Sequence, residues 1–432
     1  MLYLNRICTN IDNMSSLKSN EVAINLKLFK VFRFYHIFDP NSGKLCKFNV
    51  YHLAWYIINC VIGCILIYGL LGYFTEMEDV IDSIFHIQIM FCYLLYSLSL
   101  LKIITFLYKA NNIWDLLRVT RINFLTSTQC QAHIGILHKH RNKSIKITNL
   151  ISGFAIVTTL EWILFPLVLR LLSKTDASHS NKRFENIFNF RFPVTVCEYN
   201  NYYFIFYIME SFIAIFMLYA YVVTDVFFIS VCYVIIAQYE IIKRAYEIVN
   251  CEQTSENNNE NKNHNNIIVN DCCDDLISIV MDQQNHYAKL RLFYSTYKLI
   301  IVSTVVINSG SIIILTYASV VIFTSPETIP ILSIVKLISA FTYMFFVLFF
   351  LCYLMECINN KIESVQLGMY SCNWTAMNIK SKKLLLFSMR MHNANKLMIK
   401  TTPNNIINLQ LFNSVMMTSY NIVSAMVNTR SK

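Results

Sequence analysis

Charge is scarce in this chain. Only 14% of its 432 residues are Asp, Glu, Lys or Arg, and it holds just 8 glycines and 6 prolines. Each shortage excludes something. The length would suit two or three soluble domains, but so few charges cannot clothe their surfaces. Eight glycines form no Gly-rich loop to cradle a phosphate, and neither HExxH nor GxSxG occurs. With no catalytic constellation, the chain is not expected to be an enzyme or to carry a cofactor. "MLYLNRICTNIDNMSS" has no continuous apolar core ahead of a small-residue cleavage site, so no cleaved leader is expected.

What the chain does have is apolar length. Hydrophobic residues make up 55% of it. Seven runs reach the roughly 20 residues a helix needs to cross a hydrocarbon core about 30 Å thick. They span about 51–73, 83–108, 149–172, 203–236, 299–323, 329–357 and 406–428. The expected fold is an all-α polytopic membrane protein with seven transmembrane helices. The segments between the runs alternate in basic charge. Those before the first run and at 107–147, 236–298 and 358–403 hold 27 Lys and Arg, whereas the alternate ones hold 7. The positive-inside rule assigns the first set to the cytosol, so the N-terminus is expected inside and the C-terminus outside. That is the reverse of a G-protein-coupled receptor. The net charge of +10 is mostly this orientation signal, so membrane lipid is an expected partner and nucleic acid is not.

Of the 14 cysteines only Cys197 falls in an expected extracellular loop, which rules out an extracellular disulfide framework within one chain. "DCCDD" at 271–275 lacks spaced His or Cys partners and reads more readily as a solvated acidic loop than as a metal site. His133, His138 and His140 sit together in a basic cytosolic segment and read the same way. The sequons at Asn13, Asn142 and Asn373 fall on the cytosolic side and should stay unglycosylated.

The chain divides accordingly. Residues 1–50 form a cytosolic N-terminal segment, in which "NLKLFKVFRFYHIF" lies at the membrane surface or packs in the cytosol. Residues 51–357 carry the first six spans, interrupted by an Asn-rich stretch, 251–275, expected to be disordered. Residues 358–405 form amphipathic cytosolic helices, and 406–432 the last span with a short extracellular tail. The fourth run continues through "AQYEIIKRAYEIV" into roughly 70 Å of helix, more than twice the hydrocarbon core, so it should project into the cytosol.

Ionisable residues inside spans are the default functional suspects. Asp225 lies midway down the fourth span, and Glu161 and Glu210 occupy the outer halves of the third and fourth. Lys336, in the outer part of the sixth, is placed to pair with either glutamate, while Lys102 near the inner end of the second is expected to snorkel. The outer halves also hold Met90, Phe91, Tyr93, Trp162, Tyr207, Met209, Phe212, Phe341 and Tyr343. Such a lining permits a pocket for a small apolar ligand, with Thr158 or a tyrosine hydroxyl as the polar handle; for any one of them ordinary bundle packing is the readier reading. In the last run, "LFNSVMMTSYNIVSAMVNTRSK", Ser414, Thr418, Asn421, Ala425 and Asn428 share one helical face. That stripe reads either as bundle packing through small residues or as a pore wall.

Specific stretches resemble a known family, the insect odorant receptors. "YSCNWTAMNIKSKKLLLFSMRMHNANKLMIK" and "LFNSVMMTSYNIVSAM" are similar to its C-terminal pattern, with Tyr370, Trp374, Leu384, Leu385, Phe412, Ser419 and Tyr420 matching. Asn421 stands where the pattern usually has serine. "TDVFFISVCYVIIAQYEIIKRAYEIV" resembles the family's fourth helix, with Asp225, Phe227 and Gln238 in place, and "LKIITFLYKANNIWDLL" the end of its second. The chain looks like a ligand-tuning subunit, because the obligate co-receptor carries a longer, different second cytosolic loop.

The resemblance implies an odorant-gated, non-selective cation channel, a tetramer formed with the olfactory co-receptor in the plasma membrane of olfactory sensory neuron dendrites. Four last helices would surround the pore, and the cytosolic helices would form an anchor domain between subunits. By matching the tail, the pore and gate fall at Asn421, Ala425, Met426, Asn428 and Thr429. The odorant pocket of the family lies between helices two, three, four and six, where Met90, Tyr93, Ala155, Thr158, Trp162, Tyr207 and Met209 are the matching candidates for a small volatile ligand. A gustatory-type ligand-gated channel is the alternative, although its usual Thr-Tyr…Gln-Phe ending is not reproduced by "TSYNIVSAMVN". A G-protein-coupled receptor is opposed by the charge bias, the missing extracellular cysteine pair and the lack of Asn-Pro…Tyr in the last helix. A transporter would show paired, Gly/Pro-broken helices in two related halves, and none are found.

Overall fold

The computed structural model describes residues 44–45, 48–75, 80–172, 183–249, 262–324, 331–394, 397–400 and 406–430. A minimal hairpin, β1 (Lys44–Leu45) paired with β2 (Phe48–Asn49), leads into α1 (Val50–Thr75). Then follow α2 (Val80–Tyr108), α3 (Ala110–Val119), α4 (Thr128–Ala132), α5 (Ile134–Leu172), α6 (Val196–Asn201) and α7 (Tyr203–Ile248). The chain closes with α8 (Lys262–Thr324), α9 (Ile331–Ser371), α10 (Ile379–Ala394) and α11 (Leu409–Arg430). Most of residues 1–50 lies outside the described residues.

Among the described residues, six helices are long and apolar enough to cross a membrane: α1, α2, α5, α7, α8 and α9. They correspond in order to the first six apolar runs. The seventh run forms α11, whose 22 residues reach about 33 Å. Its Asn, Ser and Thr side chains dilute its apolar character below that of the other six.

Helix α7 is the hub of the bundle. It carries bulky apolar and aromatic residues around its whole circumference, and a helix without a polar face has to be surrounded. It packs most extensively on α5 and α9, and also on α2 and α8. From Ala220 to Tyr239 every side chain except Asp225 is buried. Helix α1 is the opposite case, with Leu53, Ile57, Val61 and Ile67 turned outward as a lipid-facing wall would be.

Past the apolar runs the helices continue and are stitched together by polar groups. Tyr246 Oη of α7 donates to Gln283 Oε1 of α8 at 2.6 Å, and Ser388 Oγ of α10 reaches the same oxygen at 3.3 Å. Gln283 Nε2 donates to His392 Nδ1 (3.2 Å), whose Nε2 then donates to the Ile362 carbonyl of α9 (2.9 Å). Asp282 accepts from the amides of Thr126 and Ser127 at 2.9 and 2.8 Å, tying the connection before α4 to α8. Glu240 is held by Lys361 at 2.9 Å and His140 at 3.5 Å. At Gly368 a Cβ would lie 2.8 Å from Lys243 Cγ and 2.9 Å from its carbonyl oxygen, so α9 meets the α7 backbone where only glycine fits.

Three expectations change. Lys102 does not snorkel: it is fully buried, and its Nζ contacts Asp225 Oδ1 of α7 at 2.6 Å. A buried ammonium needs an opposite charge, and one 123 positions away in sequence supplies it. Lys336 donates to the Asn186 and Ile187 carbonyls at 2.7 and 2.8 Å instead of reaching out to a glutamate alone. The Asn-rich stretch 251–275 is not disordered throughout, because α8 already begins at Lys262. Extending a helix nucleated by packed residues downstream is far easier than starting one, so poor helix formers are carried along. Residues 250–261 lie outside the described residues.

Candidate functional site

Two helices offer matching faces. Ala155, Thr158, Thr159 and Trp162 of α5, and Ala214, Met217, Leu218 and Tyr221 of α7, both repeat at steps of three, four and seven, so each set forms one stripe. Between them, closed by Phe91 and Leu95 of α2 and by Ser339, Ala340, Tyr343 and Met344 of α9, lies a cavity of about 100 Å³. Phe188, from the segment between α5 and α6, completes the wall. The lining is almost wholly apolar and aromatic, so dispersion and water release dominate what it can offer a guest, at roughly 25 cal/mol per Å² buried.

Apart from Tyr343, its few polar groups are already committed as donors. Thr158 Oγ1 donates to the Phe154 and Ala155 carbonyls at 3.1 and 3.0 Å, and Thr159 Oγ1 to Ala155 at 2.8 Å. Ser339 Oγ donates to the Lys336 carbonyl at 3.0 Å while accepting from Trp162 Nε1 at 2.9 Å. Tyr221 Oη donates to the Leu95 carbonyl at 3.0 Å. What remains at the threonines is lone-pair capacity, so this cavity favours a small apolar guest carrying one donor.

The segment "NIFNF" (186–190) is pressed into the bundle above Trp162 and is held by two buried charges. Glu210 of α7 accepts from the Phe188 and Phe190 amides at 2.7 and 3.2 Å, and Lys336 of α9 holds the carbonyls on the other side. Asn189 takes a positive φ of 57°, which asparagine tolerates better than most residues, and its Oδ1 accepts from the Asn186 amide. Thr195 and Glu198 form a capping box that starts α6, and the Thr195 hydroxyl and amide hold the Glu198 carboxyl below its ordinary range. Glu210 and Lys336, suspected because they are ionisable within spans, therefore fix the lid of the cavity, and neither lines it. Glu161 also lies outside the lining.

Of the expected pocket residues, Ala155, Thr158 and Trp162 line the cavity together. The other four do not. Met90 faces outward at 46% exposure, while Tyr93 donates to the Leu66 carbonyl at 2.8 Å and lies against Phe190. Tyr207 donates to the Ile163 carbonyl at 2.9 Å, and Met209 is half-buried. The cavity instead uses Phe91 and Leu95, one and two positions along α2, and residues from Ala214 onward on α7. Their i, i+4 and i, i+3, i+4, i+7 spacings were available in the sequence. The contribution of Phe188 was not, since an irregular segment has no periodicity to read.

Helix α11 packs by one side only. Phe412 meets Phe345 and Phe349 of α9 at 5.2 and 5.5 Å, and Glu356 Oε2 accepts from the Leu409 amide at 2.8 Å, joining Asn408 in capping its start. Val415, Met416, Ser419, Ile422 and Val423 are turned inward to varying degrees. Ser414, Thr418, Asn421, Ala425 and Asn428 are all exposed. The small polar stripe thus lies on the exposed side of this helix. The side chains of Met426 and Thr429 lie outside the described residues.

No curated protein matches the sequence significantly. The insect olfactory receptor OR5 from Machilis hrabei shares the fold, with a TM-score of 0.70 at 13% identity over 94% of this chain and 98% of that one. The same receptor in complex with eugenol matches with the same score and identity, over 94% and 99%. The family described as 7tm odorant receptor matches residues 84–420. Across that span, and on that multi-pass helical fold, the chain belongs to the 7tm odorant receptor family and is a membrane receptor, not an enzyme.

Proposed function

We propose that this odorant receptor is the ligand-tuning subunit of an odorant-gated, non-selective cation channel assembled with the olfactory co-receptor. The observation that carries the reading is the exposed polar stripe of α11. Asn421 and Asn428 are exposed on the helix surface, where neither rests against hydrocarbon without loss. A membrane-length helix with such a face belongs beside water or beside another subunit, and a shared central pore supplies both. The gate then falls at Asn421, Ala425, Met426, Asn428 and Thr429, where an apolar constriction blocks ions by dewetting and a small rotation rewets it.

The cavity at Thr158 and Trp162 is the odorant site in this reading. The eugenol complex of OR5, a small phenol on the same fold, supports a ligand of that size and polarity. A ligand opens the channel only by the difference in its affinity for the two states. The N-terminus and the polar-stitched ends of α7 to α10 lie in the cytosol, where they anchor subunits to one another, and the C-terminus lies outside. The receptor acts at the plasma membrane of sensory dendrites.

Whole-cell current under an odour panel, with and without the co-receptor and with G-protein signalling blocked, tests this. Fast cation current requiring both subunits is expected. A response abolished by the block would assign the receptor to G-protein coupling and remove α11 from the pore.

A further inference from the structure

A second and larger cavity, about 340 Å³, lies farther along the bundle between α5, α7, α8 and α9, and none of the residues matched to the family's odorant pocket lines it. Its walls are Leu, Ile, Val, Phe and Tyr, with Leu150 of α5 and Phe346 of α9 exposed at 69% and 45%. Those two residues put its mouth on the outer surface of the bundle, where hydrocarbon lies in a membrane. Five of its lining residues carry polar groups: Tyr343, Thr224, whose Oγ1 donates to the Ala220 carbonyl at 2.8 Å, and three others. Tyr297 Oη and Thr304 Oγ1 of α8 belong to residues at 0% and 2% exposure, and neither oxygen has a hydrogen-bond partner among the described residues. Asp225 lines the same space with its carboxylate already on Lys102 at 2.6 Å.

Two buried hydroxyls without a partner, on residues that line an apolar chamber, are unfavourable unless a guest completes them. The charge state of the wall selects the guest. Lys102 already neutralises Asp225, so an ammonium ligand would add an unbalanced charge in a low-dielectric wall, whereas a neutral hydroxyl adds none. We propose that this cavity is a second ligand site, entered from the bilayer between α5 and α9, for a small neutral hydrophobe bearing a hydroxyl, such as an aliphatic alcohol or phenol. The hydroxyl exchanges hydrogen bonds with Tyr297 and Thr304, and the apolar body lies among Phe154, Phe228 and Phe350. Tyr343 lines both this cavity and the one at Thr158, so an occupant here shares a wall with the odorant site.

The site is tested by photolabelling the full-length receptor in nanodiscs of synthetic phosphatidylcholine. One probe is a diazirine-bearing medium-chain alkanol, the other the same chain without its hydroxyl. Crosslinks from the alkanol are expected in 297–304 and 343–354. The double variant Tyr297→Phe with Thr304→Val, which removes only unpartnered hydroxyls and should fold normally, is expected to lower them about tenfold. Thr158→Val is expected to leave them unchanged, and the chain without a hydroxyl should not respond to the double variant. Alkanol crosslinks confined to the Thr158 cavity or to outward faces would overturn the proposal, as would indifference to the double variant. Where the specific label is present, loss on adding a sterol assigns the site to hydroxylated lipid, and persistence assigns it to a volatile alcohol. The readout is independent of channel activity.

Discussion

Removing the Asp225 carboxylate alone should harm the receptor more than removing both members of its pair. Lys102 sits at 0% exposure with Nζ 2.6 Å from Asp225 and 4.3 Å from the centre of the Tyr221 ring. Asp225→Asn strands that ammonium in an apolar bundle, at a cost of about 3 kcal/mol. The double substitution Lys102→Met with Asp225→Leu leaves no charge to satisfy and should recover most of the loss. Thermal unfolding of the solubilised receptor, followed by size-exclusion chromatography, checks this, and equal instability of the single and double variants would contradict it. The residue types were legible in the sequence, since ionisable groups within spans stood out at once. Their partners were not, because hydropathy assigns a depth to a side chain but no neighbour. Glu210 and Lys336 illustrate the same limit: each turned out to hold the backbone of residues 186–190.

At the scale of elements, α7 and α9 are held close by the absence of one side chain. The Cβ of an alanine at 368 would fall 2.8 Å from Lys243 Cγ and 2.9 Å from its backbone oxygen. The lysine chain can swing aside, but the carbonyl cannot, so Gly368→Ala should cost about 1–3 kcal/mol through overpacking. A lower melting temperature of the solubilised chain is the expected result, and an unchanged one would mean that the two helices shift apart freely. The existence and order of the long helices were readable from apolar length, and the extension of α7 beyond the bilayer followed from its 46 residues. Helix faces were harder. On α2 the candidates Met90 and Tyr93 flank Phe91, which does line the cavity; an offset of one residue rotates a helical position by about 100°. A helix that is apolar on all sides, as α2 is, carries no amphipathic signal to fix that rotation.

For the whole molecule, orientation in the membrane is open to a direct chemical test. Cys197 is exposed in the segment assigned outside, whereas Cys130 and Cys372 lie buried in the part assigned to the cytosol. A membrane-impermeant maleimide applied to intact cells should label the receptor, and Cys197→Ser should abolish the label. Undiminished labelling of that variant would reverse the topology. The sequence by itself determined that this is a helical membrane protein, the order of its spans, the charge bias from which its orientation is predicted and the polar stripe of its last helix. These are properties of composition and of single-helix periodicity, and they need no knowledge of neighbours. Only the tertiary structure decided that the stripe is left exposed, that "NIFNF" lids the cavity, that Lys102 meets Asp225, and that a second chamber lies beneath Tyr343. Each depends on which helices stand side by side. In an interior where nearly every residue is apolar, packing geometry sets that arrangement, and no local pattern encodes it.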